Sequence, residues 1–307
     1  MGMIRDMEDK NNEFNRLNDR YVKFLFASPK RKSLLIEFLN DVLADIPDGA
    51  ERLPPVVDIE YADREMTPEH ERDKMPRFDV IARTADERLF HIEIQLVGYE
   101  NILPRTLNYA SRDYSGLTEK GGDYSLGRVI CIVVADFRLF DDTPSYHTLH
   151  RILNVENGAW HMRGMEFHFI EVPKLRELHR WPVTGLDRWL YYLGDMGGES
   201  EMQSLAEQDT RVAQMRQLEN IFRSNPDLVR EYQQREQDEL DYRLSLEARE
   251  RKGEARGITI GEARGISIGR NEGITIGEQR ARRSIMDRLL ASGMTPAQAA
   301  AITGMDV

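Results

Sequence analysis

Two runs of alternating apolar and polar residues stand out in the first third of the chain, residues 77–83 and 88–96. They are rich in β-branched and aromatic side chains, and they flank the four-residue turn Thr84, Ala85, Asp86 and Glu87, a pattern that predicts a β-hairpin. Side chains alternate between the faces of a strand, so Phe90, Ile92, Ile94 and Leu96 share one face. His91, Glu93 and Gln95 share the other. Residues 128–137 carry an apolar run, unbroken from Val129 to Ala135, as expected for a central strand buried on both faces. Residues 166–172 alternate again and stop at Pro173-Lys174, which predicts another strand, and residues 56–61 read as a first one.

Helical spacing governs most of the remainder. Tyr21, Val22, Leu25 and Phe26 form an apolar stripe behind Asn18-Asp19. Ser28 and Pro29 are the expected cap and first-turn residue of a second helix, with Leu35, Phe38, Leu39, Val42 and Leu43 turned inward. After Gly98, residues 102–120 predict a helix with Arg105, Tyr109 and Arg112 on one face and Leu103, Leu107 and Ala110 on a different side. His147 and His150 read as a surface pair on a helix, and no Cys or His cluster nearby makes them a zinc site. Residues 1–15 are polar and expected to be flexible. Residues 199–252 form a charged helical extension, with Val212, Met215, Leu218 and Phe222 at helical spacing and a break at Asn225-Pro226.

An internal repeat follows over residues 253–280. Glycine falls on every fourth position from Gly253 to Gly277, seven in all. On a helix these glycines make a groove that admits a second backbone, yet each costs about 1 kcal/mol against alanine. The expectation is a self-association stalk, with a disordered linker as the alternative. Residues 281–307 predict a helical hairpin: a helix stopped at Gly293, then Thr295 and Gln298 as a capping box. The last helix has no Arg or Lys, so it reads as packing and not as base recognition.

Composition narrows the class. The 307 residues, 40% hydrophobic and 31% charged, describe a soluble chain with a real core. No apolar run is long enough to span a membrane, and the N-terminus lacks the pattern of a signal peptide. The single cysteine, Cys131, sits inside an apolar run and points to a reducing cytoplasm. A net charge of -11 argues against broad nucleic-acid coating, although residues 249–288 hold ten basic against six acidic side chains.

The chemistry is concentrated in the hairpin, which is expected to bring Asp79 across to Glu93. Two carboxylates at close range repel unless a cation lies between them, and a hard divalent ion, Mg²⁺ or Mn²⁺, suits oxygen ligands. The Ile94 carbonyl is a candidate further ligand, and Gln95 is placed to orient water or touch a phosphate. An ordinary hairpin with a polar outer face is the plainer alternative. On the residues alone Asp19 caps its helix and Glu37 lies on a solvated face. Arg105 and Arg112 are candidates to grip a phosphate backbone, or else pair with Glu100 or Asp113.

The phrases FDVIART, RLFHIEIQ, NDRYVKFLFASPKRKSLLIEFLNDVL and HFIEVPK together resemble the recombination-promoting nuclease and transposase branch of the PD-(D/E)XK nuclease superfamily. The resemblance runs in patches over residues 18–195 and departs from the family at Val22, where an aromatic is common. Its implications are an α/β restriction-endonuclease-like core over residues 16–198, with a mixed central sheet flanked by helices, and a helical C-terminal extension. It further implies a metal-dependent DNA endonuclease linked to recombination, transposon-like mobility or defence against foreign DNA. The same resemblance implies that Asp19 or Glu37 is a candidate third acid. Lys74 matches a lysine common in the family, whereas Gln95 stands where the superfamily usually has lysine. Arg105, Tyr109 and the later glycine-tyrosine phrase at residues 121–124 resemble a family motif. The alternative is a catalytically idle nuclease-like module that acts in assembly through its repeat.

Overall fold

The computed structural model describes residues 14–62, 80–96, 98, 101–117 and 127–305. The chain begins with α1 (Asp19–Phe26), capped by the Asn18 side chain, which accepts from Arg20 N at 3.0 Å. Phe14 and Asn15, expected to be flexible, are packed. The Phe14 ring stacks on Tyr232, and Asn15 N donates to the Tyr232 hydroxyl at 2.7 Å. Ser28 does not cap a helix. Pro29–Arg31 instead form a 3₁₀ turn, closed by Arg31 N to Ser28 O at 2.8 Å, and α2 (Lys32–Ala44) follows it.

The first strand is shorter than residues 56–61. Both backbone groups of Val56 bond the Asn40 side chain, at 2.7 and 2.8 Å, so they are not used in a ladder. The strand β1 (Glu60–Tyr61) then leads, in chain order, to β2 (Val80–Arg83), β3 (Arg88–Gln95), the helix α3 (Ile102–Gly116) and β4 (Arg128–Ala135). His147 and His150, expected on a helix, lie on the edge strand β5 (His147–Ile152). This strand pairs antiparallel with β6 (Met162–Glu171), and His147 is drawn into the interior by partners far away in sequence. The sheet order is β1-β2-β3-β4-β6-β5, with β3, β4 and β6 parallel and the outer pairs antiparallel. This is the mixed sheet expected of the α/β class.

The two faces of the sheet are unlike. Phe90, Ile92 and Ile94 of β3 join Ile130, Ile132 and Val134 of β4 in the main core, beneath α1, α2 and α5 (Gly185–Leu193), the last reached through the short helix α4 (Val172–Glu177). The opposite face is covered by α3, whose Tyr109 and Ala110 pack on Leu89, Val129 and Cys131. Helices α6 (Glu199–Gln208) and α7 (Thr210–Arg223) complete the main core through Leu205, Val212, Met215 and Phe222.

Helix α8 (Pro226–Ala291) starts at the expected Asn225-Pro226 break and runs unbroken past residues 252 and 280, through all seven repeat glycines. By its contacts the chain divides into Met1–Glu239 and Leu240–Val307. In the second unit the helix stops at Gly293, at φ 95°, and Thr295 and Gln298 form the expected capping box of α9 (Pro296–Thr303). None of the described helices is long and apolar enough to cross a membrane.

Candidate active site

The hairpin turn sets the register of everything above it. Thr84 N donates to Arg88 O at 2.9 Å, and Glu87 turns the chain in the left-handed region at φ 64°. Arg128 N then donates to Glu87 O at 3.0 Å, where β4 begins. Gly127 must be glycine for this approach, because a Cβ there would collide with the Glu87 carbonyl. The outcome is a parallel register that places Glu93 beside Val133 and Gln95 beside Ala135.

His91, Glu93 and Gln95 consequently line the face beneath α3, all three buried. The Glu93 Oε1 atom accepts from two donors, Gln95 Nε2 and Arg105 Nη2, and Arg105 projects from the first turn of α3. Two turns later Asp113 Oδ2 meets His91 Nε2 at 2.9 Å, and Cys131 Sγ lies 3.9 Å from His91 Nδ1. Helix and strand are thus joined at two levels, once by an acid of the strand answered from the helix and once by an acid of the helix answered from the strand. A carboxylate that is 1% exposed requires a compensating cation. In the protein alone, Arg105 is one.

The predicted residues divide as follows. Glu93, Gln95, Arg105 and the buried Tyr109 are brought to one face. Arg112 is exposed, beside Pro104, Leu107, Asn108 and Ser111, and does not continue the line from Arg105 toward the sheet. Asp19 and Glu37 belong to helices on the opposite face and are not brought to Glu93. The Asp19 carboxylate meets Lys23 at 3.4 Å and Arg235 at 3.0 Å. Glu37 lies 3.9 Å from Arg211; burial raises its carboxyl, against the pull of that guanidinium. Asp79, Lys74, Glu100 and residues 121–124 lie outside the described residues.

Glu93 and the Ile94 carbonyl are hard oxygen donors, the kind Mg²⁺ or Mn²⁺ takes, and Asp79 immediately precedes Val80 in sequence. The donor set fits such an ion in chemical type. Among the described residues there is no group of three or more His, Cys, Asp or Glu that could hold a metal. Sequence reasoning missed that Arg105 answers Glu93, because the pair joins a strand to the following helix and no local spacing records it. It also missed the partners of the HFIEVPK phrase, where only the acid and the lysine at the end of a strand hinted at a buried pair.

A family model described as PD-(D/E)XK nuclease family transposase matches residues 16–249. No curated protein and no solved structure matches the chain significantly.

Proposed function

Because the chain belongs to the PD-(D/E)XK nuclease family transposases, we propose that the Glu93 row is the catalytic centre of a Mg²⁺-dependent endonuclease that hydrolyses DNA phosphodiesters. The observation that supports this most is a buried carboxylate on a sheet face, with an amide and a guanidinium both directed at one of its oxygens. In this reading Asp79, Glu93 and the Ile94 carbonyl hold Mg²⁺ or Mn²⁺, which when bound polarises a phosphoryl oxygen and lowers the pKa of water. Gln95 donates through Nε2 to Glu93, so its amide oxygen is directed to accept from a water. A carboxamide is no base at neutral pH, so Gln95 orients that water and does not take its proton. Arg105 carries a planar fork of donors suited to a phosphate beside a carboxylate. Lys74 and Arg112 are assigned to more distant parts of the same DNA, whereas Tyr109, buried against Leu89, Val129 and Cys131, packs α3 on the sheet.

Plasmid cleavage tests this directly. Wild type nicks DNA with Mg²⁺ and not with EDTA, and Asp79→Ala and Glu93→Ala each lower the rate by about a hundredfold or more. If both variants cut like the wild type, the site assignment is wrong. The biological setting we assign is recombination, transposon-like mobility or defence against foreign DNA, in a reducing cytoplasm where buried Cys131 stays a thiol.

We further assign homo-oligomerisation to α8. Its glycines form one i, i+4 row, and a Cβ on any of them would have nothing within 4 Å. Such rows run at about 26° to the helix axis, so two copies meeting along them cross at about 50°, not as a parallel coiled coil. Gly265→Leu then abolishes self-association in sedimentation velocity, and a monomeric wild type ends this assignment.

Two observations favour the idle-module reading: Gln95 stands in place of lysine, and Arg105 already pairs with Glu93. Calorimetric titration with Mg²⁺ or Mn²⁺ separates the two. No heat of binding in a normally folded wild type promotes the idle module.

A further inference from the structure

The end of β6 carries a buried ion pair that the mechanism above does not use. Glu171 is fully buried and Lys174 is 3% exposed. The Lys174 ammonium has three hydrogens and three acceptors: Glu171 Oε2 at 2.6 Å, Phe140 O at 2.6 Å and Thr143 O at 2.8 Å. The other Glu171 oxygen accepts from the backbone N–H groups of Leu139, at 2.5 Å, and Phe140, at 3.1 Å. Every one of these partners outside the pair is backbone of the loop between β4 and β5. The pair reads no side chain; it fixes the path of that loop.

The loop borders the candidate active site. Its first residue, Asp136, donates N–H to Gln95 O at 2.9 Å. Phe137 packs on Gly98 so closely that a Cβ there would lie 3.3 Å from the ring. Phe137, Leu139 and Phe140 pack with Ile102, the first residue of α3, and with Val133, the neighbour of Glu93. Gln95, Ala135 and Glu171 are in register across three parallel strands, which puts Glu171 about 10 Å from Gln95 on the same face. Apolar packing alone would hold Phe137 and Phe140 near Ile102. It would not set the backbone, because such contacts are not directional. A pair with five directed hydrogen bonds to backbone and to itself would.

We propose that Glu171 and Lys174 are positioning residues of the proposed nuclease site: they clamp residues 136–146, and through that loop fix Gln95 and the first turn of α3, which carries Arg105. The inference rests on the nuclease reading. Hydrogen exchange keeps the two separable, since it reads the clamp without any cleavage.

The test uses the full chain and the double variant Glu171→Leu/Lys174→Met, which removes both charges together and leaves neither one buried without its partner. Circular dichroism then shows a folded protein with a melting temperature near that of the wild type. The Leu139 and Phe140 amides lose protection, and kcat for a cleaved oligonucleotide falls about tenfold to a hundredfold at nearly unchanged KM, the signature of misplaced groups. A folded double variant with wild-type kcat overturns the proposal, and so do Leu139 and Phe140 amides that stay protected. If the double variant does not fold, Glu171→Gln decides. It keeps size and one acceptor oxygen, so a lower kcat at normal fold supports the clamp and a wild-type kcat overturns it. If the wild type cuts nothing, the nuclease reading falls, and the clamp is judged by exchange at Leu139 and Phe140 alone.

Discussion

Two buried polar rows cross the same sheet, one on each face. On β6, Glu166 and His168 point toward the main core, level with Ile130 and Ile132. There Arg151 Nε meets Glu166 at 2.8 Å, Glu166 meets His168 Nε2 at 2.8 Å, His168 Nδ1 meets His147 Nε2 at 2.9 Å, and His147 Nδ1 meets Asp45 at 3.1 Å. Tyr146 also contacts Asp45, and the Trp160 ring packs over Arg151. The two histidines thus link a carboxylate at each end, Glu166 and Asp45, through each other. On β3, His91, Glu93 and Gln95 lie under α3 at the end of the strand, beside the clamped loop. A buried acid alone therefore does not mark a site. In the proposed reading the row that links β6 to the edge strand β5 is architecture, whereas the row at the end of β3 lies beside the start of a helix, on the strand that pairs with β2.

The largest contrast comes from removing the acid of each row in parallel. Glu93→Ala abolishes cleavage while the protein stays folded, because Arg105 sits in the first turn of α3 and can turn outward. Glu166→Ala strands Arg151 and His168 in the interior and costs about 3–5 kcal/mol in urea unfolding. Its surviving folded fraction cuts DNA at the wild-type rate. If Glu166→Ala proves as inactive as Glu93→Ala at a temperature where both are folded, the division between architecture and site fails.

A smaller effect is carried by pH. Burial lowers the His168 pKa, against the pull of Glu166. The unfolded chain, with an ordinary histidine near pH 6.5, therefore takes up a proton before the folded one does. Stability is present above about pH 6.5 and falls as pH drops below it, by up to about 1.4 kcal/mol per unit until the folded group titrates. Glu166 acts in the same direction at lower pH. Burial alone would raise its carboxyl, but His168 and Arg151 hold it below the ordinary range. A third loss comes from Asp209, which Arg211 and Arg188 hold at about 2 despite the opposing effect of burial. In His168→Gln the first of these losses disappears from a series of urea midpoints, while Glu93→Gln leaves it in place. A first loss that survives in His168→Gln would assign it to another group.

The hairpin and its polar face were legible because alternation records which side chains share a face, and the hairpin needs only local turn chemistry. The β6 strand was legible for the same reason. Its row was not, since His147 lies 21 residues from His168 and 102 from Asp45. Five polar groups meet there that no short window contains, and the edge strand holding His147 therefore read as a helix. The same reason hid the pairing of Arg105 with Glu93. It also placed Asp19 and Glu37 near the site, because only the packing of α1 and α2 decides which face of the sheet they cover. The glycine repeat was legible through its row of glycines at i, i+4, which carried the expectation of a helical stalk. Its composition disfavours a helix residue by residue, yet α8 runs through it.

The smallest effect is also the sharpest test of whether the rows are separate. Asp45 ends the β6 row with its side chain 21% exposed, and Asn at that position keeps an oxygen that can accept from His147. Asp45→Asn should therefore cost only about 0.5–1.5 kcal/mol. What matters is how that cost combines with others. Asp45 and Glu166 share one chain of hydrogen bonds, and a proton gained or lost at one end changes what the other end must donate or accept. Asp45→Asn combined with Glu166→Gln is therefore non-additive, by about 0.5 kcal/mol or more. Asp45→Asn combined with Glu93→Gln crosses the apolar layer of the sheet with no shared partner, and its costs add to within about 0.5 kcal/mol. Coupling in the second cycle as large as in the first would mean that the two faces form one network, and Glu93 could not be altered without disturbing the row that holds the edge strand.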